Sequence, residues 1–136
     1  MITVLMARNH PRFNKDHANN PQKKEYLNPK PASADGKPGL GPGDGVYRDI
    51  WGNPYIISVD ADGDGWTRDA FYSLAAVSKG SGKGINGLQS ISGTGANDFA
   101  FRGEVMIWSL GADGQADPKL RANEGVNQDN FLLLHR

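Results

Sequence analysis

Short runs in which apolar and polar residues alternate predict the strands of this chain. YIISV (55–59) and EVMIWSL (104–110) place successive side chains on opposite faces, the pattern of a half-buried strand. NFLLL (130–134) can add a third strand, and FYSLAAV (71–77) fits either a returning strand or a turn of helix. Turn residues separate these runs, so the sequence predicts an antiparallel sheet of short strands.

Helical propensity is concentrated at the N-terminus. MITVLMAR (1–8) begins without a cap, as a shortened helix would, and cannot extend past His10 because a proline follows that residue. A second short helix is expected at NPQKKEYL (20–27), where Asn20 can cap and the next proline needs no amide partner. Together with the strands, these segments predict an α+β fold: an N-terminal helical segment and a long loop, followed by a small antiparallel β-sheet.

Two stretches rich in small residues divide the chain. Residues 28–46 combine Pro and Gly without periodicity, as an extended surface linker does. We therefore expect residues 1–46 to form the helical segment and linker, and residues 47–136 to form the sheet domain. KGSGKGINGLQSISGTGAND (79–98) is typical of a flexible loop, which we expect to form an insertion at 79–103.

Composition excludes several classes of function. Lys plus Arg and Asp plus Glu both number 15, so the basic excess of a general nucleic-acid binder is absent. The sequence has no cysteine, which excludes disulfides and thiolate metal sites. No apolar stretch approaches the roughly 20 residues of a membrane helix, so we expect the chain as given to be soluble.

Catalytic motifs are also missing. GSGKG (80–84) lacks the spacing of a phosphate-binding loop. His10, His17 and His135 lie near the two ends, and no serine or acid beside them makes a convincing triad. We therefore expect no enzymatic activity.

DADGDG (60–65) offers one candidate metal site. Asp60, Asp62 and Asp64 alternate before a glycine, as at the start of an EF-hand calcium loop. The twelfth position of such a loop is Phe71 instead of a bidentate glutamate. The tip of an Asp–Gly hairpin explains the segment without a metal ion, so we prefer the hairpin tip and keep these three aspartates as a second candidate for metal binding.

SLGADG (109–114) offers another candidate metal site. Asp113 could merely cap its own turn. The loop over residues 111–130, however, is long and poor in apolar residues, and such loops rarely become ordered unaided. A cation that joins Asp113 near the start of the loop to Asp129 near its end would offset the entropy of ordering.

Three segments, in this order, resemble the globular domain of the major pseudopilins of type II secretion systems: YRDIWGNPYIIS (47–58), VMIWSLGADGQAD (105–117) and GVNQDNFLL (125–133). EYLNPK (25–30) is similar to the linker of longer bacterial relatives. In that family a hydrophobic helix with a prepilin-peptidase cleavage site precedes the domain. We therefore expect this chain to be the globular part without that helix.

The resemblance implies a role in assembly. Pseudopilins are non-catalytic subunits of a short filament that drives protein export, and their sheet packs on the second half of the N-terminal helix. The partners implied are other pseudopilin subunits and secretion-system components, with no nucleic acid. The location implied is the periplasm and cell envelope, with an inner-membrane anchor supplied only by the missing helix.

The resemblance also implies a bound calcium ion. Its ligands, carried over to this chain, are the carbonyl of Leu110, Asp113 and Asp129, with Asn130 where a second acid often lies. An amide in that place should weaken calcium binding, and Asp117 could compensate.

Independently of the resemblance, Trp51 lies beside a Gly-Asn-Pro turn in which Pro54 holds Asn53 extended. Its side chain is therefore expected to fold over the following strand, as a core anchor at the strand entrance.

A rival hypothesis is a free-standing, calcium-dependent binding module of the cell envelope. In that case residues 60–65 and the flexible loop 79–98 would form the ligand surface. Stabilisation by calcium that depends on Asp60 to Asp64, and not on Asp113, would favour this rival.

Overall fold

A computed structural model describes residues 2–12, 14–25 and 27–136. The chain divides into two compact units, Met1–Pro54 (unit 1) and Tyr55–Arg136 (unit 2). Over the described residues, regular structure consists of short antiparallel strands and isolated helical turns. No helix within that part of the chain has the length and apolar composition needed to cross a bilayer.

Unit 1 is held mainly by turns. It contains the helical turn α1 (Ile2–Leu5), a 3₁₀ turn (Lys15–His17), and the antiparallel strands β1 (Gly39–Leu40) and β2 (Tyr47–Arg48). Asn14 is fully buried; its side chain donates to the Arg8 carbonyl at 2.9 Å and accepts from the Asn19 amide at 3.1 Å. Side-chain hydrogen bonds of this kind take the place of a helix ladder in this unit.

Unit 2 contains the main sheet. Its elements are β3 (Ile56–Val59), α2 (Ala75–Ser78), β4 (Gln89–Ser90), β5 (Phe99–Ala100), β6 (Val105–Ser109) and β7 (Phe131–His135), with 3₁₀ turns at Ile85–Gly87 and Gly125–Asn127. β6 is the central strand and pairs antiparallel with β3 and with β7. β4 and β5 form a separate antiparallel pair.

The register of the three-stranded sheet defines its two faces. Ile57 lies opposite Ile107, which lies opposite Leu133, on one face. Met106 and Trp108 belong to the other face and are almost completely buried. The strands predicted at 55–59, 104–110 and 130–134 are confirmed. FYSLAAV (71–77) does not form a returning strand. It begins with turns and ends in α2, and the strand that pairs with β3 is β6.

The core of unit 2 packs on the buried face of this sheet. Its buried members are Tyr72, Val77, Leu88, Phe99, Phe101, Met106, Trp108 and Ala122. Around the indole of Trp108, Phe71 is stacked at a centroid distance of 5.1 Å and Tyr72 meets it edge-on at 5.3 Å. Aromatic pairs in these geometries add stabilisation beyond the area they bury.

Asp69 fixes residues 69–72 above the sheet. One carboxylate oxygen accepts hydrogen bonds from Trp108 Nε1 at 3.0 Å and from the Ser58 hydroxyl at 2.7 Å. The other oxygen accepts from the amides of Phe71 and Tyr72, each at 2.9 Å. Asp69 is buried, and this full set of donors satisfies its charge where water cannot.

The predicted α+β fold, with an N-terminal helical segment ahead of a small pilin-like sheet, is wrong. α1 is a single turn, and Ala7 after it adopts a φ of 51°. No helix forms over residues 20–25, where Lys23 also has a φ of 51°; Tyr26, within the predicted helix, lies outside the described residues. Helices this short are marginal unless an apolar face is packed. These segments form the hydrogen bonds of turns instead.

The prediction for Trp51 is also wrong. Its side chain keeps 51% of its surface exposed. The turn is stabilised by Asp49, whose carboxylate oxygen accepts hydrogen bonds from the amides of Trp51 and Asn53, each at 2.9 Å. The conformation of DIWGNPY therefore depends on a buried carboxylate and not on burial of the indole.

Candidate metal centre

The sheet itself brings the two motifs of the long loop together. Ser109 in β6 pairs with Phe131 in β7, so Leu110 and Asn130 leave the sheet side by side. The loop that connects them turns sharply at Gly111, which has a φ of 66°. A Cβ at that position would overlap the carbonyl oxygen of Asp129. Glycine therefore permits the close approach of the two loop ends.

The side-chain amide of Asn130 faces two backbone oxygens. One of its terminal atoms lies 3.2 Å from the carbonyl oxygen of Leu110 and 3.2 Å from that of Gln115. A nitrogen at this point donates hydrogen bonds to both carbonyls.

Two carboxylates flank this cluster. Asp129 Oδ2 accepts a hydrogen bond from the Asp113 amide at 3.0 Å, across the closed ends of the loop. Asp113 Oδ1 accepts from the Gln115 amide at 2.8 Å and shapes the turn. Both residues are exposed, so their remaining oxygens are accessible from solvent.

All four residues that the resemblance names, Leu110, Asp113, Asp129 and Asn130, thus lie at one end of the sheet. The sequence did not indicate Gln115. Its contribution is a backbone carbonyl, which every residue possesses, so no side-chain pattern marks it. Every candidate ligand offers oxygen, the donor that calcium and other hard cations prefer.

Asn127 closes the remainder of the loop without a metal. It is buried, and its side-chain oxygen accepts from the Asp117 amide at 2.8 Å. Its amide nitrogen donates to the carbonyls of Asp117 at 2.9 Å, Leu120 at 3.0 Å and Arg121 at 3.3 Å. Part of the ordering that sequence reasoning assigned to a cation therefore comes from one buried amide. The Asp117 carboxylate accepts a hydrogen bond from the Lys119 amide at 2.8 Å.

Asp60, Asp62 and Asp64 form a second acidic group, which could hold a metal ion. One carboxylate oxygen from each lies within 4.8 Å of the others. Asp60 accepts hydrogen bonds from the amides of Gly63 at 2.9 Å and Gly65 at 2.8 Å. This segment leads away from β3, whose partner is β6, so it is a turn of the chain but not the tip of a hairpin with FYSLAAV.

Arg68 already neutralises part of this triad. Its guanidinium lies 2.5 Å from Asp64 and 3.9 Å from Asp62. The hydrogen bond from Arg68 lowers the pKa of Asp64. Desolvation alone would raise the pKa of Asp60, but the glycine amides outweigh it and the net pKa is lowered. A metal ion at this triad would therefore have to compete with an arginine.

Neither the family models of known proteins, nor the curated proteins, nor the solved structures give a match to this chain.

Proposed function

We propose that the chain is a non-catalytic structural subunit of a secretion or pilus-type filament, of the pseudopilin kind, with a C-terminal loop closed by calcium. The observation that carries this proposal is the convergence of SLGADG with the segment before β7, which places Leu110, Asp113, Asp129 and Asn130 together. These are the residues that the resemblance assigns to a calcium ion. The role is proposed without the α+β pilin fold, which the described residues do not form.

Calcium would be held by the carbonyls of Leu110 and Gln115, the Asn130 side-chain oxygen, and the carboxylates of Asp113 and Asp129. Calcium accepts six to eight oxygens in flexible geometry, whereas magnesium demands a near-ideal octahedron. The two carboxylates would supply the charge. Asn130 can serve both states: its oxygen would face a bound cation, and its nitrogen donates to the same two carbonyls without one.

The outer face of the three-stranded sheet supports an assembly role. It carries Ile57, Val59, Val105, Ile107, Phe131 and Leu133, opposite the face that packs on the core. Phe131 and Leu133 remain 46% and 49% exposed. A contiguous apolar face of this kind marks an interaction surface. We assign it to apolar segments of neighbouring filament subunits.

Thermal unfolding with calcium, with chelator, and with chelator plus magnesium tests the metal centre. A cation that binds only the folded state raises the melting temperature by mass action. We expect calcium to stabilise the wild-type protein and to have no effect on Asp113→Ala. Asp62→Ala is the matched control, since it removes one exposed aspartate from the other acidic group, and it should respond like wild type.

The reverse pattern would identify the rival function. If calcium stabilised Asp113→Ala but not Asp62→Ala, the metal would sit at Asp60–Asp64. The free-standing calcium-dependent binding module would then be the better hypothesis, since the triad could hold a metal ion.

The absence of cysteine allows the assembly surface to be tested with single introduced thiols. In cells that express the protein, Leu133→Cys should give covalent multimers with a thiol-to-amine cross-linker. Ser81→Cys, an exposed position away from the sheet, is the control and should stay largely monomeric. Equal multimer yields from both variants would argue against the sheet face as the contact surface.

A further inference from the structure

Unit 2 contains a cavity of about 320 Å³ between residues 79–84 and 89–95. One wall is a tight hairpin, in which Lys79 pairs with Gly84 and the Gly80 amide donates to the Lys83 carbonyl at 3.0 Å. Residues of the opposite wall include Ser90 and Thr94, with Phe99 beside them. Lysines are the only charged residues among those that line the cavity.

The opposite wall is held in shape by its own hydrogen bonds. The Ser90 hydroxyl donates to Asp98 at 2.7 Å and accepts from the Gly95 amide at 3.0 Å. The Ser92 amide donates to the second oxygen of Asp98 at 2.7 Å. The cavity is therefore formed by the protein itself and needs no ligand to shape it.

Lys79 reaches across the cavity. Its ammonium lies 3.3 Å from the point where a Cβ on Gly95 would stand, so glycine leaves the room that this side chain occupies. Lys79 and Lys83 form no ion pair with any described residue, although unit 2 carries more acidic than basic residues. Two lysines that form no ion pair with a described residue thus line one cavity.

We propose that this cavity binds a phosphate group. Lysine is a common phosphate ligand, and a phosphate monoester carries close to two negative charges at neutral pH, which two ammonium groups can balance. Gly82 and Gly84 also line the cavity, and the lack of a side chain at these positions lets an anion approach the backbone closely. The volume lies at the lower end of the range for small-molecule sites and has room for a phosphorylated monosaccharide.

Amide chemical shifts of ¹⁵N-labelled protein, recorded without calcium, test the site with inorganic phosphate, glucose 6-phosphate and glucose. We expect saturable shifts at the glycines of the cavity with both phosphates and none with glucose. Replacing both lysines, Lys79→Gln with Lys83→Gln, should weaken binding at least tenfold. Lys119→Gln, at an exposed lysine outside the cavity, should leave it unchanged.

Co-sedimentation with vesicles containing phosphatidic acid separates the sources of the phosphate. Binding to vesicles that disappears in the double lysine variant would indicate a lipid headgroup. Tighter binding of glucose 6-phosphate than of phosphate, without vesicle binding, would indicate a soluble sugar phosphate. The proposal is overturned if no probe gives saturable shifts, or if the double variant, shown to be folded by its dispersed spectrum, binds as well as wild type.

Discussion

Single buried polar side chains organise each part of this molecule. Asp69 joins the core segment to two strands of the sheet through its four hydrogen bonds. Asn127 closes the long loop through hydrogen bonds to three carbonyls. In unit 1, Asn14 joins Arg8 to Asn19 through hydrogen bonds of its side chain. A buried polar group that loses its partner costs free energy, so the backbone around these residues is held in the conformation that provides their hydrogen bonds.

Tyr72 gives the folded state a measurable dependence on alkaline pH. Burial, with a smaller contribution from Asp69, raises the pKa of Tyr72 to about 12. An unfolded tyrosine titrates near 10, so above that pH the unfolded chain releases a proton that the folded chain retains. The free energy of unfolding should therefore fall by about 1.4 kcal/mol per pH unit above pH 10.

Urea unfolding at pH 8 to 11 measures this fall. Tyr72→Phe keeps the ring packed against Trp108 but removes the titrating hydroxyl. Its free energy of unfolding should therefore fall less at alkaline pH than that of the wild-type protein. Tyr47→Phe leaves Tyr72 in place and should decline like wild type. Identical pH dependence of Tyr72→Phe and wild type would show that another group is responsible.

At the scale of elements, the loop between β6 and β7 depends on a close contact between its two ends. Its ends meet because antiparallel pairing brings Ser109 opposite Phe131. Gly111 then permits contact with the backbone of Asp129. The cation ligands proposed above depend on this contact, since they come from both ends of the loop.

A pair of glycine substitutions isolates the contribution of this contact. Gly63 and Gly111 have similar left-handed conformations, with φ of 74° and 66°. A Cβ on Gly63 meets nothing within 4 Å, whereas one on Gly111 overlaps the Asp129 carbonyl. Gly63→Ala should cost about 1 to 2 kcal/mol from the backbone alone.

Gly111→Ala should cost about 2 kcal/mol more than Gly63→Ala, because overpacking adds to the backbone term. It should also abolish stabilisation by calcium, while Gly63→Ala retains it. Denaturant unfolding with and without calcium measures both effects. Equal losses of stability in the two variants would mean that the loop ends need not approach so closely.

At the scale of the whole molecule, apolar burial is uneven between the two units. The core cluster lies entirely within residues 55–136, whereas the buried hydrophobic residues of unit 1 are Met6 and Ala32 among those described. We therefore expect unit 2 to carry most of the stability, because burial of apolar area is the dominant favourable contribution to folding.

Separate expression of residues 55–136 tests this division. The fragment should unfold cooperatively and keep the near-ultraviolet circular dichroism of its packed tryptophan, Trp108. Residues 1–54 alone should show no cooperative transition. An unfolded 55–136 fragment would mean that unit 1 supplies stabilisation that the core of unit 2 cannot provide by itself.

Sequence patterns predicted the strands and part of the candidate centre. Period-two alternation gave the positions of β3, β6 and β7, since it depends only on which face of a strand is buried. SLGADG and GVNQDN named four of the five candidate ligands through side-chain type and family resemblance. The N-terminal helical segment was overestimated because propensity alone does not stabilise a helix without a packed face.

By itself, the sequence determined the approximate positions of β3, β6 and β7 and the alternation of their side chains between two faces, because these follow from local periodicity and backbone preference. Only the tertiary structure decided that β3 pairs with β6 and that the Gln115 carbonyl joins Asn130. It also decided that Asn127 closes the loop, and that residues 79–84 face residues 89–95. Each of these contacts joins residues distant in sequence, or uses a backbone atom that all residues share, so long-range packing selects it and no local pattern records it.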